Sequence, residues 1–318
     1  MKLVTIDAIP GGTAGAMVAS GEILHLGRAA ASGTIEAWLP PTVRGILLAG
    51  PEGLEVAHRL VRRVENMDAN GQERLRRLGA LTRLDATPLL APVPDPRLIL
   101  AAGRAYRSHV QEMGGGSPPH PTAFLKSPDS VTGPGARIPV SARTAQVDYE
   151  GELAVVFGRT CHGVAPEQAL DHVAGYTIAN DVSARDWMPG VLAACTAAEG
   201  RQSWETNIMG KQFPGFTPMG PVLATRDEVP DPSSLQLVTR LNGRVMQSAS
   251  VGDLIHGIAD TIAHFSQWYR FQPGDILLTG TPAGVGFGRD PQVFMRPGDT
   301  VEVEIGGIGV LSNDIAPA

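Results

Sequence analysis

The strongest constraint on this chain is its turn punctuation. Beyond about residue 130, short apolar runs are cut by Gly133-Pro134-Gly135, Asp231-Pro232, Asn242-Gly243, Pro273-Gly274-Asp275, Pro297-Gly298-Asp299 and Gly306-Gly307. Proline removes an amide donor and fixes φ, and glycine admits conformations closed to other residues. A chain broken this often cannot sustain long helices, but it suits short strands joined by tight turns. Asn242-Gly243 between apolar runs predicts a two-residue hairpin. Helices are expected to be sparse here, one near 165–173 opened by Pro166 and Glu167, another near 252–268. With 38 Gly, 26 Pro and only 5% aromatic residues, the expected class is mixed α/β, predominantly β.

The first 85 residues read differently. Leu3–Ile6 and Ile23–Gly27 look like strands, while 52–66 and 71–79 carry apolar residues at helical spacing. We expect residues 1–85 to form a small N-terminal α+β domain. Residues 86–97 hold Pro88, Pro92, Pro94 and Pro96, a stiff Pro-rich linker. Residues 98–318 then form the larger domain. Hydrophobic residues make up 43% and charged residues 18%, enough for a sizeable core. The net charge of −6 argues against a nucleic-acid partner, which needs a basic footprint. Cys161 and Cys195 cannot staple 318 residues, which points to a reducing compartment. No apolar leader precedes Asp7, and no run approaches the ~18 apolar residues of a membrane span. The expectation is a cytoplasmic protein without a membrane partner.

Several residues carry possible chemistry. In Asp148-Tyr149-Glu150-Gly151-Glu152-Leu153, read as a strand, Glu150 and Glu152 share a face about 7 Å apart. Side by side they repel, so they are either solvated acids on an exposed face or ligands of a hard cation. Asp181 ends another strand-like run, Gly175–Asp181, and could complete a carboxylate triad suited to Mg²⁺ or Mn²⁺. His109 and Glu112 sit three apart; on a helix they are neighbours, forming either a surface ion pair or an oriented general base. Gly114-Gly115-Gly116 follows them, as in a closing lid. Lys211 lies between a glycine and Phe213-Pro214, and taken alone a solvated lysine explains it. There is no nucleophile elbow, zinc helix or phosphate loop, and Gly284-x-Gly286-x-Gly288 lacks dinucleotide spacing. His256 and His264 read as core or surface residues of a helix.

Together these stretches resemble the fumarylacetoacetate hydrolase family. The matching pieces run in the family's order across 97–315. They are Gly103-Arg104-Ala105-Tyr106 with His109 and Glu112-Met113; Phe124-Leu125-Lys126-Ser127-Pro128; Asp148 to Leu153; Asn180-Asp181-Val182-Ser183-Ala184-Arg185-Asp186; Gly210-Lys211-Gln212-Phe213; Asn242-Gly243 with Gln247; and Thr279-Gly280-Thr281-Pro282-Ala283-Gly284. The resemblance implies a β-roll paired as a homodimer, and a small-molecule 2-oxo or diketo acid substrate of the kind met in aromatic catabolism. It implies Glu150, Glu152 and Asp181 as metal ligands, for Mg²⁺ or Mn²⁺ and with Ca²⁺ able to substitute in crystals. It implies His109 and Glu112 as a lid-borne catalytic dyad with Lys211 beside the metal, and Tyr106, Arg104, Gln111 and Thr281 as substrate contacts. The implied reaction is hydrolysis of a C–C bond in a 2,4-dioxo acid through a metal-bound enolate, with His109 activating water. Isomerisation or decarboxylation of a 2-oxo acid on the same site, or metabolite binding without catalysis, are the alternatives. Two features depart from the family's compact members. The 187–209 segment, with Trp187, Pro189, Glu199, Arg201 and Trp204, is longer, and the lid adds Arg107, a cation that could attract an anionic substrate tail.

Overall fold

The computed structural model describes residues 1–33, 38–114, 116–187 and 195–318, the side chains of 204–207 excepted. Its centre is one large mixed sheet. In spatial order its strands are Leu81–Arg83, Glu22–His25, Thr13–Met17, Lys2–Ile6, Thr217–Thr225, Val173–Asn180, Gly151–Phe157, Ile276–Leu278, Ile99–Gly103 and Thr122–Lys126. Gly151–Phe157 and Val173–Asn180 are buried along their whole length. Strands covered on both faces lose the polar half of their alternation and read as continuous apolar runs.

Each face has its own cover. Leu153, Val155, Tyr176 and Ile178 pack with Leu237, Val303, Ile305 and Leu311 of a second sheet. That sheet runs Arg244–Ser250, Gln236–Leu241, Thr300–Ile305, Gly309–Pro317 and Ile138–Val140. Ala154, Val156, Ala179 and Leu223 point the other way, toward Ile46, Ala57, Leu60 and Val64 of the helices Val43–Leu48 and Gly50–Glu65. The longer of these begins with Pro51 and Glu52 and ends with Arg62 and Arg63, matching both proline's fit to a first turn and the helix dipole.

The molecule is therefore mixed α/β and mostly sheet, as expected. The N-terminal strands are not separate from the larger sheet. Lys2 and Leu3 pair with Ala224 and Leu223, and Leu89-Leu90 within the Pro-rich stretch pairs with Ile6 and Thr5. The Asn242-Gly243 hairpin forms with both residues at positive φ, 52° and 76°, the signature of a primed turn. The helix expected near 252–268 is shorter, Ile258–Phe265, entered through Gly257. The one near 165–173 forms as the α-helical turn Pro166–Ala169 continued by the 3-10 turn Leu170–His172, and ends there because Val173 enters the sheet. A helix not expected from the sequence, Ala197–Met209, fills most of the long segment before Lys211. Pro189 and the Trp204 side chain lie outside the described residues.

Two glycines separate close packing from open space. A Cβ on Gly175 would sit 2.1 Å from the carbonyl oxygen of Ala224 on the neighbouring strand. One on Gly200, inside the helix Ala197–Met209, meets nothing within 4 Å. Gly175→Ala should destabilise the protein by about 1–3 kcal/mol or more, whereas Gly200→Ala should stabilise it by about 0.5–1 kcal/mol. Urea unfolding of the two variants side by side checks this.

Candidate metal centre and acid–base site

The carboxylate cluster is made by strand register. Gly151 pairs with Asn180 and Glu152 with Ala179, so Asp181 emerges beside Glu150 as the two strands end. The Asp181 amide donates to the Glu150 carbonyl at 2.8 Å, and the Glu150 amide donates to Asn180 Oδ1 at 2.9 Å. The strand expected to be continuous from Asp148 is broken at Tyr149-Glu150, between Val147–Asp148 and Gly151–Phe157. The outcome at the side chains is nevertheless convergent. Glu150, Glu152 and Asp181 each place a carboxylate oxygen within 4.8 Å of the others, and all three are buried.

Buried charges need partners, and three cations supply them. Lys211 Nζ donates to Glu150 Oε2 and Asp181 Oδ2, both at 2.7 Å, and to Ser183 Oγ at 2.8 Å. Lys126 Nζ donates to Asp181 Oδ1 and, at 3.1 Å, to the Phe216 carbonyl. Arg185 donates to Glu150 Oε1 and through Nε to Asp148 Oδ2 at 2.8 Å. Burial alone would raise the Glu150 carboxyl, but Lys211, Arg185 and His109 outweigh it and hold it far below the ordinary carboxylate range. Glu152 has the opposite balance. Burial, then the Asp181 and Glu150 charges, push its carboxyl well above the usual range, against Lys211 and a 2.7 Å hydrogen bond from the Gly280 amide.

Among the described residues, Asp148, Glu150, Glu152 and Asp181 thus face three buried cations, and Glu152 is the carboxylate without one of its own. A compact all-oxygen donor set with an uncompensated carboxylate fits a hard divalent cation such as Mg²⁺ or Mn²⁺.

The second group of residues is the dyad. His109 and Glu112 lie on the short helix Arg107–Glu112, His109 Nδ1 3.2 Å from Glu112 Oε2. Glu112 Oε1 accepts the Gly284 amide at 2.9 Å. Asp253 fixes the start of the helix, its Oδ2 accepting from Ser108 N at 3.0 Å and Ser108 Oγ at 2.6 Å. Gly288 completes the seat of Glu112, since a Cβ there would lie 2.6 Å from the carboxyl carbon. With the Nδ1 hydrogen directed at Glu112, Nε2 keeps the lone pair of a base. Were the ring to take up a proton, its charge would help lower the Glu150 carboxyl.

The remaining sequence-derived contacts are placed less centrally. Thr281 is buried, donating to the Gly151 carbonyl at 3.0 Å and accepting from Gln247 Nε2 at 2.8 Å. Tyr106 is fully buried, and burial and the nearby Glu152 charge push its phenol up. Arg104 and Gln111 are exposed, and the Arg104 guanidinium donates to the Gly116 carbonyl at 2.7 Å. Arg107 donates to the Leu254 carbonyl at 2.8 Å. Sequence reasoning assigned no role to Lys126, Asp148 or Arg185, although each stood within a family-like stretch. Their partners are distant in the chain, so no local spacing marks them.

The protonated state favoured for Glu152 sets a test. Cation binding must expel that proton, so affinity for Mn²⁺ should rise with pH. Calorimetry in buffers of different ionisation heat should register proton release, and a heat independent of buffer would contradict it. A raised carboxyl stabilises the fold below its unfolded-state pKa and loses that contribution as pH rises through the folded value. Cation-free protein should therefore lose stability with rising pH in that window, and Mn²⁺ should restore it.

Comparison with known proteins places this site in a family. Residues 98–316 match the model for the fumarylacetoacetate (FAA) hydrolase C-terminal domain. The chain is 37% identical over 277 residues to the human mitochondrial oxaloacetate tautomerase FAHD2A, covering 87% of this chain and 80% of that protein. It is 41% identical over 236 residues to the oxaloacetate tautomerase YisK of Bacillus subtilis, covering 73% and 74%. Among solved structures it resembles maleylpyruvate hydrolase from Sphingobium sp. SYK-6 in complex with manganese(II) and pyruvate, with TM-score 0.69, 28% identity and all of both chains covered. With the matched residues holding the carboxylates, the dyad and the strands that carry them, the chain belongs to the fumarylacetoacetate hydrolase family.

Proposed function

We propose that the protein is a divalent-metal-dependent tautomerase of oxaloacetate-type 2-oxo acids. The observation that carries this reading is a histidine with its own carboxylate, His109–Glu112, tied to an all-carboxylate cluster by one loop, whose Gly280 amide binds Glu152 and whose Gly284 amide binds Glu112. Keto–enol exchange needs a proton moved between C3 and the C2 oxygen, and positive charge for the enolate between the two transfers. It needs no nucleophile. Two relatives identified as oxaloacetate tautomerases support the substrate class.

Glu150, Glu152 and Asp181 would hold Mg²⁺ or Mn²⁺, which when bound supplies positive charge for the carboxylate and 2-oxo oxygens of the substrate. His109 Nε2 takes the C3 proton as the C–H electron pair moves toward the C2 oxygen. The protonated ring, steadied by Glu112, then delivers a proton to that oxygen, and the reverse sequence returns the keto form. Lys211, already in contact with Glu150 and Asp181, adds fixed positive charge where the enolate develops. With Glu152 protonated, the three other buried carboxylates balance Lys126, Lys211 and Arg185; a divalent cation that displaces this proton leaves the cluster net positive, which favours a dianionic substrate. The homodimer implied by the family resemblance is part of this reading.

A second reading, hydrolysis of a C–C bond in a 2,4-dioxo acid, is favoured by the likeness to maleylpyruvate hydrolase. There His109 takes its proton from water, which attacks the distal carbonyl. Loss of the enol absorbance of oxaloacetate, followed beside pyruvate release from a panel of acylpyruvates, separates the two. Tautomerisation should dominate, require Mn²⁺ or Mg²⁺, and fall by about 10²–10⁴-fold in His109→Ala, with a milder loss in Glu112→Gln. Stoichiometric pyruvate from an acylpyruvate, formed faster than oxaloacetate tautomerises, would put hydrolysis first.

A further inference from the structure

Asp148 is a buried acid that is not a triad member, and its partners join the two halves of the site. It is fully buried, and both of its oxygens are occupied. Oδ1 accepts from the Tyr149 amide at 2.9 Å and the Gly286 amide at 2.7 Å. Oδ2 accepts from the Phe287 amide at 3.0 Å and Arg185 Nε at 2.8 Å. Four donors exhaust a carboxylate's acceptor sites, so Asp148 has nothing left to offer a cation.

On one side, the guanidinium it orients donates to Glu150 Oε1 and lies 5.8 Å from the Phe287 ring centroid. On the other, the amides it binds belong to the loop whose Gly284 amide holds Glu112. That loop has little freedom: a Cβ on Gly286 would fall 1.8 Å from the Val293 carbonyl oxygen and 2.7 Å from Asp148 Oδ1. Gly284 has φ +103°, and its carbonyl accepts from Tyr149 Oη at 3.1 Å and Arg289 Nε at 3.2 Å.

We propose that Asp148 is a positioning residue that couples the carboxylate site to the dyad, through Arg185 to Glu150 and through the 284–287 loop to Glu112. The proposal rests on reading Glu150, Glu152 and Asp181 as cation ligands. It predicts that Mn²⁺ binding and the order of the His109 helix are linked, and linkage of this kind is reciprocal.

The test compares the unsubstituted protein with Asp148→Asn, whose amide nitrogen cannot accept two of the four hydrogen bonds. Mn²⁺ affinity is measured by calorimetry, and hydrogen exchange of residues 107–114 is measured with and without Mn²⁺. The unsubstituted protein should gain protection in 107–114 when Mn²⁺ binds. Asp148→Asn should bind Mn²⁺ about 10–100-fold more weakly, and at saturating Mn²⁺ it should lose that gain. A purely structural role would lower melting temperature and protection throughout but leave the Mn²⁺-induced gain intact, and this overturns the proposal. So does an altered affinity with an unaltered gain, or the reverse. If Asp148→Asn does not fold, Arg185→Lys, which keeps the charge but not the paired donors, should weaken Mn²⁺ binding and reduce the gain together. A change in affinity alone then overturns the coupling. No Mn²⁺ binding by the unsubstituted protein removes the reading of the site and the proposal with it, whereas binding without a linked gain removes the coupling alone.

Discussion

Everything near the site depends on burying four carboxylates at and beyond the strand ends and matching them. An ionised group taken out of water costs several kcal/mol unless partners replace its hydration. Lys126, Lys211 and Arg185 supply most of that replacement, each through an ion pair and at least one further hydrogen bond. Their arrangement leaves Glu152 as the member held mainly by one backbone amide, and so the natural place for added positive charge.

The surrounding fold makes such a cluster affordable. The strands that end in it, Gly151–Phe157 and Val173–Asn180, are otherwise mostly apolar, Thr177 being a buried polar exception. Helices seal one face and the second sheet the other, and the charged groups of the cluster sit at the strand ends and the loops beyond them. Sheet pairing holds the geometry more tightly than a loop could: moving Asp181 away from Glu150 would require breaking the ladder that joins Gly151 to Asn180.

How much of this was legible in the sequence follows from how far apart the interacting residues lie. Glu150 with Glu152, and His109 with Glu112, are local pairs, so strand and helix periodicity alone raise them. Asp181 is raised by its place at a strand end, and its partnership with Glu150 needs the register. Lys126 meets Asp181 across 55 positions, and Asp148 meets Gly286 across 138. No periodicity reaches that far, and a single charged residue on a short strand carries no mark of its partner. The break at Tyr149-Glu150 was equally invisible, because the residues there suit a strand and only the change of partner, from Ala184 and Ser183 to Asn180, interrupts it. The family resemblance carried Lys211, and its three side-chain contacts explain why a lysine flanked by glycine and Phe213-Pro214 is not a solvated one.

The glycines of the 284–288 loop connect these observations. Glu112 and Asp148 both bind this loop through backbone amides, at Gly284, Gly286 and Phe287. An amide can be a donor only if the backbone comes as close as the hydrogen bond requires, and the absent Cβ positions at Gly286 and Gly288 show how close that is. Any side chain at either position would push away the acid that the loop holds. The glycine spacing that fails as a nucleotide fingerprint is therefore explained by two carboxylates of the protein's own, one paired with His109 and the other holding Arg185, which in turn meets Glu150.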